Sequence, residues 1–387
     1  MRCDVAIVGA GPAGSRVAWR LARAGTRVII FDGSHPREKP CGGGVTARAL
    51  QLVEEQLSGA SLDGSVVTRA RFGYGSCAAT VDLPHDGISP RSALTVFGRE
   101  RFDAALLSSA LAAGARYEPV RVREIEWSAD HWTMVAADRR VTSRVIVGAD
   151  GVNSFVRRRV WRPFDRSQLS IATGYFAHGA TSDEVVVEFV RDPPGYLWSF
   201  PRPDHLAIGA CAQADRSTPA MLKAIAAAWI EREGITATLE AYSWPIPSLS
   251  RNDFARDRAA GDGWLLVGDA AGLVDPITRE GIFFALQSAN FAADAILADR
   301  DTNGAYQRML SDEIVPELAH AAALKNGFFR APFMQLLVQA LQTSAPVRRI
   351  MADLVAGRQS YRTLTRNLLT TLELRLAWRL VMLRFAS

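Results

Sequence analysis

The residues whose types and spacing most directly specify chemistry are Gly9-Ala10-Gly11-Pro12-Ala13-Gly14 and the acid Asp32. In a G-x-G-x-x-G turn that opens a helix, each glycine has its own task. Gly9 allows the tight turn, Gly11 lets main chain approach a pyrophosphate, and Gly14 lets helix and strand pack closely. Free N–H groups and the positive end of the helix dipole then meet the phosphates. Asp32 is placed to accept a hydrogen bond from a ribose hydroxyl. The pattern alone is weak evidence; its surroundings make it a dinucleotide site.

Other groups could act beside it. Cys41-Gly42-Gly43-Gly44 puts three glycines before an expected helix. It is either a flexible loop or a second main-chain wall against the dinucleotide, with Cys41 at its edge. Cys41 is a candidate proton donor or substrate-positioning group; a free cysteine is also a common small buried apolar residue. Cys3, Cys77 and Cys211 lie in strand-like runs and read as packing. Tyr196, Trp198 and Phe200 alternate along one segment, so all three face one side of a strand. They form an aromatic wall for a ligand, with Tyr196 and Trp198 counted with Cys41 as catalytic candidates, or the core of a β lobe. Pro194 and Pro201 bracket them, which suggests an edge strand. His35, His178 and His205 show no spacing of a triad or a metal site, and no metal is expected.

The elements that must position these groups follow from pattern. Asp4–Val8 reads as a buried strand, Ser15–Ala24 as a helix and Arg27–Phe31 as a second strand ending at Asp32, which together make a βαβ unit. Val45–Leu57 reads as a helix, 65–82 as strands of another sheet, and the segment opening at Arg99 as a helix. Tyr117–Trp127 and His131–Ala136 read as antiparallel strands. Arg144–Val147 is a buried strand running into Gly148-Ala149-Asp150-Gly151, and Trp264–Val267 another running into Gly268-Asp269-Ala270-Ala271-Gly272. A long apolar helix follows from Phe283 to Leu297. Residues 305–387 read as helical, broken at Pro316, Pro332, Pro346 and Gly357.

The expected fold is α/β. A Rossmann-like nucleotide-binding lobe (1–64, 93–165 and 251–304) carries an inserted, mainly β substrate lobe (65–92 and 166–250) and a helical C-terminal region (305–387). A chain of 387 residues is long enough for such cores. No apolar run reaches the length of a membrane span. The first strand begins by residue 4, leaving no room for a signal peptide. Four scattered cysteines without C-x-x-C spacing argue against zinc and disulfides, so a cytoplasmic setting is expected. The net charge of +5 rests almost wholly on arginine, with lysine only at 39, 223 and 325, and is read as compositional. Arg157-Arg158-Arg159, the densest basic run, is expected to begin an exposed helix. Nucleic-acid binding is not expected; attraction to anionic lipid fits better.

GAGPAG with Asp32, GADG at 148–151 and GDAAG at 268–272, in that order, resemble the FAD-dependent oxidoreductases of the p-hydroxybenzoate hydroxylase fold. Three further elements resemble the geranylgeranyl reductase family: Pro40-Cys41-Gly42-Gly43, Pro194-x-Tyr196-x-Trp198-x-Phe200-Pro201, and the GDAAGLVDP…EGI stretch from Gly268 to Ile282. The resemblance covers about residues 1–300. It implies bound FAD, with Asp269 on the ribityl chain, Arg99 near the phosphates, and Pro276, Glu280, Gly281 and Ile282 beside the isoalloxazine ring. It also implies reduction of C=C bonds in a prenyl or other hydrophobic substrate, the electrons coming from NAD(P)H or a protein donor. The chain departs from the family at Arg279, where glycine is common before Glu-Gly. That guanidinium stabilises reduced flavin, binds an acidic substrate, or points outward. Two alternatives remain: a flavin monooxygenase of hydroxylase or halogenase type, and a non-enzymatic FAD-holding maturation protein.

The C-terminal stretch repeats leucine at 364, 368, 372, 376 and 380, an amphipathic helix by period. Its stripe packs onto the helical region, or part of 364–387 rests on a membrane surface.

Overall fold

The protein is described by a computed structural model covering residues 1–84, 93–128, 130–370 and 378. The first strand, Arg2–Val8, lies inside a sheet with strand order Ala260–Gly261, Trp264–Leu266, Arg139–Gly148, Arg2–Val8, Val28–Phe31, Arg116–Glu118. Its central pairings are parallel, with Val5 opposite Val145 on one side and Val28 on the other. Such strands are buried on both faces and therefore read as continuous apolar runs. Helix Pro12–Arg23 covers one face with Ile282–Ala298 packed beside it. A hairpin, Val122–Ser128 and His131–Ala136, extends antiparallel from Arg139–Gly148.

A second, seven-stranded sheet runs Thr238–Pro247, Leu169–His178, His205–Gln213, Gly195–Pro201, Glu184–Val190, Arg69–Tyr74, Cys77–Asp82. Alternation along Gly195–Pro201 sends Leu197 to one face, under helix Pro219–Arg232. Tyr196 and Trp198 go to the other, against the C-terminal helices. Three of those helices begin where the sequence has its prolines. Pro316, Pro332 and Pro346 sit in the first turns of Val315–Phe328, Ala331–Thr343 and Ala345–Val355, where proline's missing N–H costs nothing.

Several local expectations are corrected. Gly195–Pro201 is an interior strand, paired to both neighbours, because its prolines stand before it and at its last position. Gly64–Val67 joins Leu94–Phe97 and Gly44–Thr46 in a separate three-stranded sheet. The segment from Val45 begins as that strand, and its helix spans only Ala47–Val53. Arg157 is not on an exposed helix face. It is 1% exposed, with both Asp257 oxygens at 2.8 and 2.7 Å. Leu364 and Leu368, by contrast, are buried among the C-terminal helices as the packing alternative expects. The remaining stripe leucines at 372, 376 and 380 lie outside the described residues.

No helix among the described residues is long and apolar enough to cross a membrane.

Candidate cofactor and substrate site

The glycine turn is built as its spacing demands. Gly9 has φ +105°, and a Cβ there would stand 2.3 Å from the Ala149 carbonyl oxygen; one on Gly14 would stand 1.9 Å from the Gly9 oxygen. Gly11, in contrast, has no atom within 4 Å of its Cβ position. The space above it belongs to a 340 Å3 cavity lined also by Pro12, Ala13, Asp32, Asp150 and Asp269. The Asp32 carboxylate is oriented by the Ala10 N–H at 3.0 Å and by the Ser34 N–H and hydroxyl, both at 2.8 Å. His35 Nε2 and Trp244 Nε1, on residues that line this cavity, are buried without partners. An open main-chain cradle, a fixed acid and orphaned donors fit a bound dinucleotide.

Asp150 lines the same cavity, but its carboxylate is occupied by local bonds. It accepts from the Phe155 N–H at 2.6 Å, the Val156 N–H at 3.2 Å and the Ser154 hydroxyl. Burial raises its pKa against those bonds. Gly14 and Gly268 are buried beneath the turns they shape, and Pro276 is buried behind its loop. None of the three lines a cavity wall.

A second cavity, of 270 Å3, adjoins the first, and Pro12, Lys39, Arg99, Trp244, Asp269 and Ala285 line both. At this junction Lys39 Nζ lies 3.1 Å from Asp269. Arg99 is buried in a two-pronged pair with Asp103, at 2.9 and 2.7 Å. Cys41, Gly42 and Gly43 form one wall of the second cavity, with Gly281 and Ile282 on another. The Cys41 Sγ accepts the Gly43 N–H at 3.4 Å.

The aromatic side is the product of both sheet and helices. Tyr196, Trp198 and Phe200 all line this cavity, with Phe328 and Phe329 of the C-terminal helices. Tyr196 stacks on Phe329 at 6.2 Å between ring centres. Its hydroxyl donates to the Thr278 carbonyl at 3.0 Å, and burial keeps the phenol protonated, well above its ordinary range.

Arg279 also lines the cavity and adopts φ +63°, the left-handed conformation that glycine adopts without strain. The turn is held by Asp275, whose carboxylate accepts the Ile277 and Thr278 N–H groups at 2.7 and 3.0 Å. The Glu280 carboxylate pairs with Arg48 and accepts the Thr46 hydroxyl at 2.8 Å.

Several positioning residues were not visible in the sequence. Arg202, wholly buried, pairs with Glu38 and donates to the Cys41 carbonyl at 2.6 Å. Glu38 in turn accepts the Arg99 and Glu100 N–H groups, each at 3.1 Å, and so caps the Arg99–Ala112 helix. Arg157 donates to the Ala270 carbonyl at 3.2 Å and clamps the Gly268–Gly272 turn. Among the described residues no cluster of His, Cys, Asp or Glu could hold a metal.

A dinucleotide cleft that opens into an apolar, aromatic-walled cavity defines a dinucleotide-dependent oxidoreductase. The FAD binding domain family matches residues 2–310. A digeranylgeranylglycerophospholipid reductase of Methanothrix thermoacetophila is 30% identical over 85% of this chain and 88% of its own. A menaquinone reductase of Mycolicibacterium smegmatis is 28% identical over 93% of each. The solved structure of a geranylgeranyl bacteriochlorophyll reductase-like protein from Thermoplasma acidophilum superposes with a TM-score of 0.77 at 20% identity, covering 96% of this chain and 99% of that one. A flavin-dependent brominase shares the fold at a TM-score of 0.71. The chain belongs to the FAD binding domain family, in its geranylgeranyl reductase group, and is an FAD-dependent oxidoreductase.

Proposed function

We propose that the protein reduces C=C bonds of a prenyl-type, long apolar substrate. The observation that carries this reading is the aromatic cavity meeting the dinucleotide cleft at Pro12, Lys39, Trp244 and Asp269. Bound FAD supplies hydride transfer to one carbon of the double bond. Gly9, Gly11, Pro12, Ala13, Asp32, Arg99, Asp150 and Asp269 would hold the dinucleotide, with Gly14 and Gly268 shaping the turns beneath it. Cys41, Gly42, Gly43, Glu280, Gly281 and Ile282 would flank its ring, with Pro276 shaping their loop from behind. Tyr196, Trp198 and Phe200 would exclude water and hold the chain of the substrate. The proton for the second carbon would come from the Cys41 thiol, whose sulfur the Gly43 N–H orients. Tyr196, with its own proton on the Thr278 carbonyl, orients the substrate rather than protonating it. The reductant would be NAD(P)H or a protein donor that docks transiently, since the chain has no second G-x-G-x-x-G. The lobe division at 65–92, 166–250 and 305–387 belongs to this reading, as does peripheral membrane contact by a part of 364–387 other than the buried Leu364 and Leu368.

The names of the prenyl-lipid and quinone reductases among its relatives support the assignment. Its test is anaerobic turnover of an unsaturated prenyl alcohol with reduced enzyme. Each reduced double bond should add the mass of two hydrogens. A product that gains oxygen, with an absolute need for O2, would move the assignment to monooxygenation.

A further inference from the structure

Arg279, which lines the apolar cavity, meets a second cation, Lys325, which is not among the residues lining it. Arg279 Nη1 donates to the Ser248 hydroxyl at 2.6 Å, and Lys325 Nζ reaches the same oxygen at 3.2 Å. Ser248 is fully buried and passes its own proton to Gln213 Oε1 at 3.1 Å. Lys325 is held further by Gln213 Oε1 at 3.3 Å and the Ser248 carbonyl at 3.1 Å. All these partners are neutral. Among the described residues, neither cation has a carboxylate at ion-pair distance, and Arg279 Nε is buried without any partner. Two desolvated positive charges sharing one hydroxyl repel each other, and an anion between them and the cavity removes that cost.

We propose that Arg279 and Lys325 form an oxyanion subsite at the polar edge of the cavity, taking the carboxylate or phosphate head of a substrate whose chain lies along the aromatic wall. This rests on the apolar-substrate reading above and adds the charge of the head group to it. Arg279 lines the cavity and offers a planar fork suited to either oxyanion. It also faces the Tyr196 phenol and the Cys211 thiol, both neutral. Lys325 stands just before Phe328 and Phe329, which line the cavity, on the same helix.

Burial, with Arg279 beside it, lowers the Lys325 pKa to about 7; Asp253 and Asp215 oppose that shift and Arg216 adds to it. A carboxylate ligand, whose own charge is constant over this range, should therefore lose affinity as pH rises through neutrality and the ammonium sheds its proton.

The test is isothermal titration of the FAD-loaded protein with farnesoic acid, farnesyl phosphate and farnesol. At about pH 6 both acids should bind at least about tenfold more tightly than the alcohol. Farnesoic acid should lose that advantage toward about pH 8. Lys325→Met and Arg279→Gly should each cut the preference about tenfold without changing farnesol affinity. Arg279→Gly also relieves the left-handed backbone, so a lost preference with an unlowered melting temperature is not misfolding. The stronger of the two acids identifies the head as carboxylate or phosphate. Equal binding of acids and alcohol, or a preference that survives both substitutions, overturns the subsite alone. No binding of any of the three removes the apolar-chain reading, and the subsite with it.

Discussion

The dinucleotide cleft is walled largely by main chain, and the cavity beside it by side chains. Around Gly9, Gly11 and Gly14 the decisive atoms are carbonyls and N–H groups, and there is no room for a Cβ at the first or the last. Around Tyr196, Trp198, Phe328 and Phe329 the decisive atoms are ring carbons drawn from a strand and a distant helix. A main-chain site tolerates almost no substitution, since backbone cannot retreat. A side-chain site responds in proportion to what is removed. The two regions should therefore fail differently.

The sharpest contrast comes from Gly14→Val. Its Cβ would stand 1.9 Å from the Gly9 oxygen, so the turn cannot close. The purified variant should carry no flavin absorbance; yellow protein with one FAD per chain would break the main-chain account. Trp198→Ala is the counterpart across the junction. Trp198 is 5% exposed, and its loss should cost roughly 3–5 kcal/mol of stability. Thermal melting should report that loss, while the FAD content of the folded protein stays unchanged. Flavin loss from this variant would mean that the two regions are not separable.

Asp269→Ala probes the junction itself. Removing its carboxylate leaves Lys39 unpaired and would delete the charge-assisted bond proposed to bound FAD. FAD affinity should weaken by roughly 1.5–3 kcal/mol, read by fluorescence titration of the apoprotein. An unaltered affinity would place Asp269 outside the cofactor's reach. The smallest expected effect is that of Cys41→Ser. Serine keeps the size and a poorer proton, so turnover should fall about tenfold with FAD content and melting unchanged. Unchanged turnover would remove the thiol from the reaction.

Legibility in the sequence followed the same division. The βαβ unit, the turn glycines and Asp32 were readable because their pattern lies within a few dozen consecutive residues. The alternation of Tyr196, Trp198 and Phe200 correctly predicted one shared face, but the bracketing prolines misled about the strand's place in the sheet. Proline is tolerated at the two ends of an interior strand, and composition does not record which neighbours a strand acquires. Arg157 looked like part of a solvated basic run. Its partner Asp257 lies far along the chain, so nothing local distinguished it from Arg158 and Arg159.

By itself the sequence determined that this chain holds a dinucleotide and how the glycine turn is shaped. Those requirements are set by φ angles and close approaches inside one turn, which residue type controls directly. Only the tertiary structure decided that Arg202 and Glu38 brace the Cys41 loop, that Phe328 and Phe329 complete the aromatic wall, and that Arg279 and Lys325 meet over Ser248. Each of these depends on side chains from separate elements arriving at one point. That arrival is fixed by how two sheets and the C-terminal helices pack, and no spacing along the chain encodes it.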